Sequence, residues 1–350
     1  MAKISRKRII FFAVYLIVTT IVSALILEGA VRLLGAAPQI NTAYAHYVAD
    51  PYVSFKPRPF MVTSGQMLGE YTFEWKHNSE GFRDVEHAVD KPAGTFRILG
   101  LGDSFTQGMG AAFEETYLYR LESMLNARQG SHPAVEIIKT GVSGYFPEPE
   151  RLLLQHYGLK YSPDLILVGF VPNDVLDTYL GLNWFRVAML GCLQTREANR
   201  LGPKALWLYL HSHVCRIVLR RFVASRIAKD QPMVFPDVFR PNGFHEKDWR
   251  QVENEFDKMI ELARGANAQI AFVHIPLQPP WGNPAAYPGE RIAKWCAERN
   301  VVSIDTFPAL REALSNRTLY WEKDGHCNPE GYKVIAETIY SALLEKKLVP

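Results

Sequence analysis

Residues 97–110 read RILGLGDSFTQGMG: an apolar run, Ile98–Leu101, then Gly102-Asp103-Ser104, then residues able to open a helix. A serine at such a strand-to-helix turn stands at the carboxyl edge of a sheet, where open α/β folds bind their ligands. Its own N–H then lies near the positive end of the following helix, which suits a developing oxyanion. Three residues are a weak signal alone. Their weight comes from the residues at the ends of the later strands.

From Thr95 onward the pattern alternates between strands and helices. Strands are predicted at Arg97–Leu101, Val135–Ile138, Leu165–Phe170, Ile270–Ile275 and Val301–Ile304. Helices are predicted at Glu114–Arg128, where Leu118, Leu121 and Leu125 share a face, at Pro149–Leu159, Trp249–Ala263 and Glu290–Arg299, and from Pro329 to Leu344. Leu165–Phe170 is almost continuously apolar, as a strand buried on both faces of a parallel sheet should be. Alternation of this kind predicts a three-layer α/β/α domain around a parallel sheet.

Chemistry-bearing residues recur where those strands end. Thr140-Gly141-Val142-Ser143-Gly144-Tyr145 comes after the second strand, Gly169-Phe170-Val171-Pro172-Asn173-Asp174 after the third, and Asp324-Gly325-His326 precedes the last helix. Acyl transfer through serine needs a base for the hydroxyl proton, a carboxylate to hold that base, and donors for the tetrahedral oxyanion. Ser104, His326 and Asp324 are the expected nucleophile, base and acid. The N–H groups of Ser104 and Gly144 and the side-chain amide of Asn173 are the expected oxyanion donors. Glu322 and Asp305 are substitute candidates for the acid. Asp103 is expected to serve the turn, and Ser104 has the competing reading of a plain helix cap.

These four blocks, in this order, resemble the SGNH hydrolases, the superfamily of GDSL esterases and lipases. The resemblance covers about residues 96–345 less an insertion, and it implies a flavodoxin-like fold, no metal or organic cofactor, and hydrolysis or transfer of ester-linked acyl groups. Two blocks depart from the family pattern. Val171-Pro172 stretches the third, and the last is Asp-x-His where the family more often has Asp-x-x-His. Three functions are compatible: a serine esterase acting on a small ester, a lipid or an acetylated glycan; an O-acyltransferase acting on exported polysaccharide; and a catalytically silent binding protein that keeps the fold.

The beginning of the chain has a different composition. Lys3, Arg6, Lys7 and Arg8 precede Ile9–Leu27, nineteen residues without a charge, enough to cross a hydrocarbon core of about 30 Å. Basic residues before the span and only Arg32 soon after it predict a cytoplasmic N-terminus and an exported remainder, in the periplasm or outside the cell. A cleaved signal peptide is the rival reading, against which the apolar stretch exceeds the usual h-region. The expected organisation is a basic tail (1–8), a transmembrane signal anchor (9–29), a lead-in (30–95) and the hydrolase-like domain (96–346). A helical insertion occupies about 176–243, with Leu206–Val223 helical, either packed on the domain, capping its site, or lying on the bilayer.

Composition narrows the partners. The 350 residues carry a net charge of only +3, with basic residues scattered, which gives no support to nucleic-acid binding. No dinucleotide or Gly-x-x-x-x-Gly-Lys fingerprint follows the first strand, which argues against a phosphate-binding reading. Cys192, Cys215, Cys296 and Cys327 match no zinc spacing and leave three full pairings open, or buried free thiols. His211, His213, His245 and His274 show no ligand-like pattern and are expected to pack or face solvent.

Overall fold

The computed structural model describes residues 6–37, 46–182, 203–219, 246–279 and 286–350. The chain divides into two compact units, one of residues 1–44 with 191–232, the other of residues 45–190 with 233–350.

In the second unit, nine strands and eight α-helices can be followed among the described residues. Two antiparallel hairpins come first, β1 (Tyr47–Asp50) with β2 (Ser54–Pro57), and β3 (Val62–Met67) with β4 (Tyr71–Lys76). The alternating part then runs β5 (Thr95–Leu101), α2 (Ser104–Gln107), α3 (Tyr117–Asn126), β6 (Ala134–Lys139), α4 (Pro147–Leu153), β7 (Leu165–Phe170) and α5 (Asn173–Leu180). It continues, after α6 (Pro203–His211) of the other unit, with α7 (Glu246–Gly265), β8 (Gln269–His274), α8 (Tyr287–Glu298), β9 (Val302–Asp305), α9 (Phe307–Ala313) and α10 (Pro329–Glu345). The five-stranded sheet has the order β6-β5-β7-β8-β9 and every pairing in it is parallel. Counted from β5, this is the 2-1-3-4-5 order of a flavodoxin-like doubly wound sheet. The first and third strands lie side by side, so the loops after β5 and β7 share one end of the sheet.

The expected alternation is therefore present, with local differences that have physical causes. The helix expected at Glu114–Arg128 is broken at Thr116, which is extended (φ −67°, ψ 152°) between a 3-10 turn at Phe113–Glu115 and α3. On α3, Tyr117, Leu118, Leu121 and Leu125 are buried, which places the predicted leucine face on the sheet. Each such side chain is worth about 1.5–3 kcal/mol in water-excluded surface. Gly100 of β5 makes room for that face: a Cβ there would lie 2.5 Å from Leu118 Cδ1. The helix expected at Pro149–Leu159 starts earlier, at Pro147, because a helix's first turn needs no N–H from proline, and it ends in a π turn (Leu154–Gly158) and a 3-10 turn (Leu159–Tyr161). β7 is buried along its whole length.

In the other unit, α1 (Arg6–Leu33) carries its apolar side chains exposed, and an 18-residue window within Ile10–Leu33 has a mean hydropathy of 2.7. Among the described residues it is the one helix long and apolar enough to cross a membrane, the kind of segment that an anchor or a signal sequence supplies. α6 (Pro203–His211) and a further helix at 213–219 are separated at Ser212, in place of the one continuous helix expected. The interruption has a cause in α1. The Glu28 carboxylate accepts the Ser212 hydroxyl (2.8 Å) and the N–H groups of His213 (2.8 Å) and Val214 (3.0 Å), satisfying the first donors of a new helix. Arg220, Arg221, His245, Cys192 and the remainder of the insertion lie outside the described residues. Cys215, Cys296 and Cys327 are free thiols, the last two buried.

Candidate active site

The turn after β5 is shaped by Gly102 and Asp103. Gly102 has φ 153°, and a Cβ on it would fall 2.0 Å from Thr106 Oγ1, so no other residue fits without moving the turn. Asp103 is the cap of α2: its carboxylate accepts the Phe105 N–H at 2.8 Å. Ser104 is thereby released from capping, and its hydroxyl is turned to a different partner. Because α2 has only four residues, the field at Ser104 is that of local N–H groups rather than of a long helix dipole.

That partner is His326. Its Nε2 lies 2.8 Å from Ser104 Oγ, and its Nδ1 lies 2.8 Å from Asp324 Oδ2. An ionised carboxylate only accepts, so Nδ1 carries the proton and Nε2 is left to accept from the serine hydroxyl. Phe105 packs against the imidazole with ring centroids 4.8 Å apart. Burial by itself would raise the Asp324 carboxyl. The hydrogen bond from His326, the imidazole's charge and the Tyr71 hydroxyl outweigh it and hold the group below the ordinary carboxylate range. Of the substitute acids, Asp305 is bonded to His274 Nδ1 at 2.7 Å instead, and Glu322 makes no side-chain bond to His326. His274 is thus a packing histidine, as expected, at the end of β8.

The one-residue spacing between Asp324 and His326 is closed by a tight turn. Gly325 sits at φ 80°, its N–H bonded to Trp321 O at 3.0 Å, while Trp321 N–H bonds His326 O at 2.9 Å. The left-handed residue folds the carboxylate back beside the imidazole that follows it.

The expected oxyanion donors divide. Among the described residues, the N–H groups of Ser104 and Gly144 have no intramolecular acceptor. The loop bearing Gly144 is held by Gln107, whose side-chain oxygen accepts both the N–H and the hydroxyl of Ser143. Asn173 has its amide engaged within the protein. It is the first residue of α5, and its amide nitrogen donates to Asp103 Oδ2 (3.2 Å) and Asp177 Oδ2 (3.0 Å), so both of its hydrogens face carboxylates. The Val171-Pro172 insertion is accommodated by Asp174, whose carboxylate accepts the Val171 N–H at 3.0 Å and closes the turn.

Behind the serine lie four buried acids: Asp103, Glu150, Asp174 and Asp177. Burial pushes all four up from their ordinary values, Asp177 to about 8. The sign of the consequence follows from linkage. Between an unfolded value of about 3.9 and the folded value of about 8, the native state binds the extra proton, so stability falls as pH rises through that window. Asp177→Asn titrates nothing there and keeps an acceptor for Asn173. Thermal midpoints of the two proteins should agree near pH 4 and separate toward pH 8, with the variant more stable; parallel curves would refute the assignment.

Tyr71, Glu70, Gln107 and Asp177 belong to the site without being marked as such by any motif. For Asp177 a signal exists, since it lies four residues beyond Asn173, one helical turn away. For Tyr71 there is none: it meets Asp324 across 253 positions, from a hairpin whose aromatic alternation announces only a strand.

A family model described as the GDSL-like lipase/acylhydrolase family matches residues 101–334, which takes in Ser104, Gly144, Asn173, Asp324 and His326. Among curated proteins nothing matches the chain. Solved structures include a member of the lipolytic protein G-D-S-L family from Veillonella parvula, 14% identical, covering 71% of this chain and 97% of that one with a TM-score of 0.41. A catalytic mutant of an acetylxylan esterase from Geobacillus stearothermophilus is 12% identical, with coverage of 70% and 93% and a TM-score of 0.43. TesA is 14% identical, with coverage of 72% and 99% and a TM-score of 0.44. With well over half of its length matched by one model, the chain belongs to the GDSL-like lipase/acylhydrolase family of ester hydrolases.

Proposed function

We propose that this protein is a serine esterase whose nucleophile is Ser104, with His326 as its base and Asp324 as the acid that holds the base. The observation that carries the reading is the unbroken relay from Asp324 Oδ2 through His326 to Ser104 Oγ, 2.8 Å at each step. In this mechanism Ser104 Oγ attacks the ester carbonyl as its proton passes to His326 Nε2. Asp324 stabilises the imidazolium, and the N–H groups of Ser104 and Gly144 receive the oxyanion. His326 then protonates the leaving alcohol, activates a water against the acyl-enzyme, and regains its starting state.

Asn173 completes the oxyanion site when one of its hydrogens leaves a carboxylate for the developing charge. Asn173→Ala should therefore lower kcat by about 10²–10³-fold with little change in KM, read with an aryl acetate. A loss below tenfold would leave the two backbone donors as the whole oxyanion site.

The test of the main reading is covalent labelling by a fluorophosphonate, with the modified peptide identified as the one holding Ser104. Aryl esters of short acids, lipid esters and acetylated sugars are the substrate classes to compare. An unlabelled Ser104 in folded protein would overturn the esterase assignment. The N-terminal helix is proposed to anchor this domain from the membrane, cytoplasmic end first, since the basic residues before it outnumber those soon after it. Protease accessibility of the hydrolase domain in intact spheroplasts checks that orientation.

A further inference from the structure

The lead-in carries no catalytic motif, yet its second hairpin reaches the acid. Tyr71, the first residue of β4, donates its hydroxyl to Asp324 Oδ2 at 3.0 Å, the same oxygen that holds His326. Its ring stacks on Trp321, centroids 5.0 Å apart, at the start of the turn that carries Asp324. The residue before it, Glu70, accepts the backbone N–H of Lys323 with both carboxylate oxygens (3.1 Å each) and that of Asp324 (2.9 Å). On its other side the turn is tied to the nucleophile's segment, because Trp321 Nε1 donates to Gly110 O at 2.7 Å. A turn this short, with one residue between acid and base, has little internal means of fixing the acid's rotamer.

We propose that Tyr71 and Glu70 are positioning residues of the esterase, so that the β3–β4 hairpin is a working part of its active site. The inference rests on the esterase reading and adds to it. Tyr71 fixes the carboxylate oxygen on which His326 is oriented, and Glu70 fixes the backbone from which that carboxylate projects. A phenol suits this role, because burial and the Asp324 charge beside it push its ionisation upward and it remains a donor at any working pH.

Two donors meet on Asp324 Oδ2, Tyr71 from the hairpin and His326 from the turn itself, with Ser104 beyond the imidazole. Without the phenol's hydrogen bond the carboxylate is free to turn away from His326 Nδ1, and the imidazole loses the orientation that keeps Nε2 on Ser104.

Tyr71→Phe keeps the stacking on Trp321 and tests the hydroxyl alone. Expected is a fall in kcat of about 5–30-fold with KM nearly constant. Glu70→Ala should lower kcat similarly, and Glu70→Gln, which keeps one acceptor oxygen, should restore most of it. If fluorophosphonate labels Ser104 while Tyr71→Phe leaves kcat unchanged, the hairpin is packing only and this inference is wrong. If Ser104 in the unsubstituted protein is inert to the probe, the esterase reading itself fails, and this inference with it.

Discussion

Replacing Ser104 by alanine should lower ester turnover by about 10⁴–10⁶-fold while leaving the fold intact. The size of the effect reflects the part that the hydroxyl alone supplies. In the proposed mechanism no acyl-enzyme forms without Oγ, and His326 and Asp324 have no nucleophile to serve, although the Ser104 and Gly144 N–H groups still offer their donors. Such residual donors leave activity above that of water and well below that of the intact site. Stability should change by less than about 1 kcal/mol, because the hydroxyl's one partner is an imidazole nitrogen in a half-buried position that water can reach. The measurement is kcat on an aryl ester beside thermal midpoints followed by circular dichroism. Turnover within tenfold of the parent protein would remove Ser104 from the chemistry.

The reason so much of the candidate site can be read from sequence is that its parts sit on local signals. β5, β6 and β7 are short apolar runs, and the residues that matter come within a few positions of each strand's end, where the parallel topology must bring them to one edge. Ser104, Gly144 and Asn173 each inherit their place from such a strand. His326 is located by the proline that opens α10 three residues later. The direction of a side chain is a different matter. Asn173 has the expected address at the head of α5, but its hydrogens are turned toward Asp103 and Asp177, because a buried amide takes the carboxyl oxygens beside it as acceptors. Tyr71 and Glu70 have no address in the sequence at all. Their role arises from a contact between a lead-in hairpin and a turn over two hundred residues away, and neither hydrophobic period nor motif spacing encodes that meeting. The interruption at Ser212 is illegible for the same reason, since the capping carboxylate belongs to α1.

Replacing Asp324 by asparagine should cost about 10⁴-fold in kcat, nearly as much as losing the serine, although the two side chains have the same shape. The carboxylate oxygen Oδ2 accepts from two directions, His326 Nδ1 and the Tyr71 hydroxyl. Asparagine has one acceptor oxygen and one donor nitrogen, and no charge. If its oxygen stays with His326 Nδ1 and Tyr71, the charge that stabilises the imidazolium is gone. If it turns over, its NH₂ faces Nδ1, and the imidazole must carry its proton on Nε2, where it cannot accept from Ser104. Either outcome disables the base. The variant also removes a charge that the fold favours. Because Asp324 is held below its unfolded value, its contribution to stability is complete above about pH 4 and is lost as pH falls through the lower folded value. Asp324→Asn should therefore be less stable than the parent at neutral pH and converge with it in acid. Asp305→Asn is the control: its partner is His274 rather than His326, so it should lose stability while keeping kcat within about threefold. Should the two substitutions trade places, with Asp305→Asn inactive and Asp324→Asn active, the acid of the relay would be Asp305, and the turn at 321–326 would have no part in holding the base.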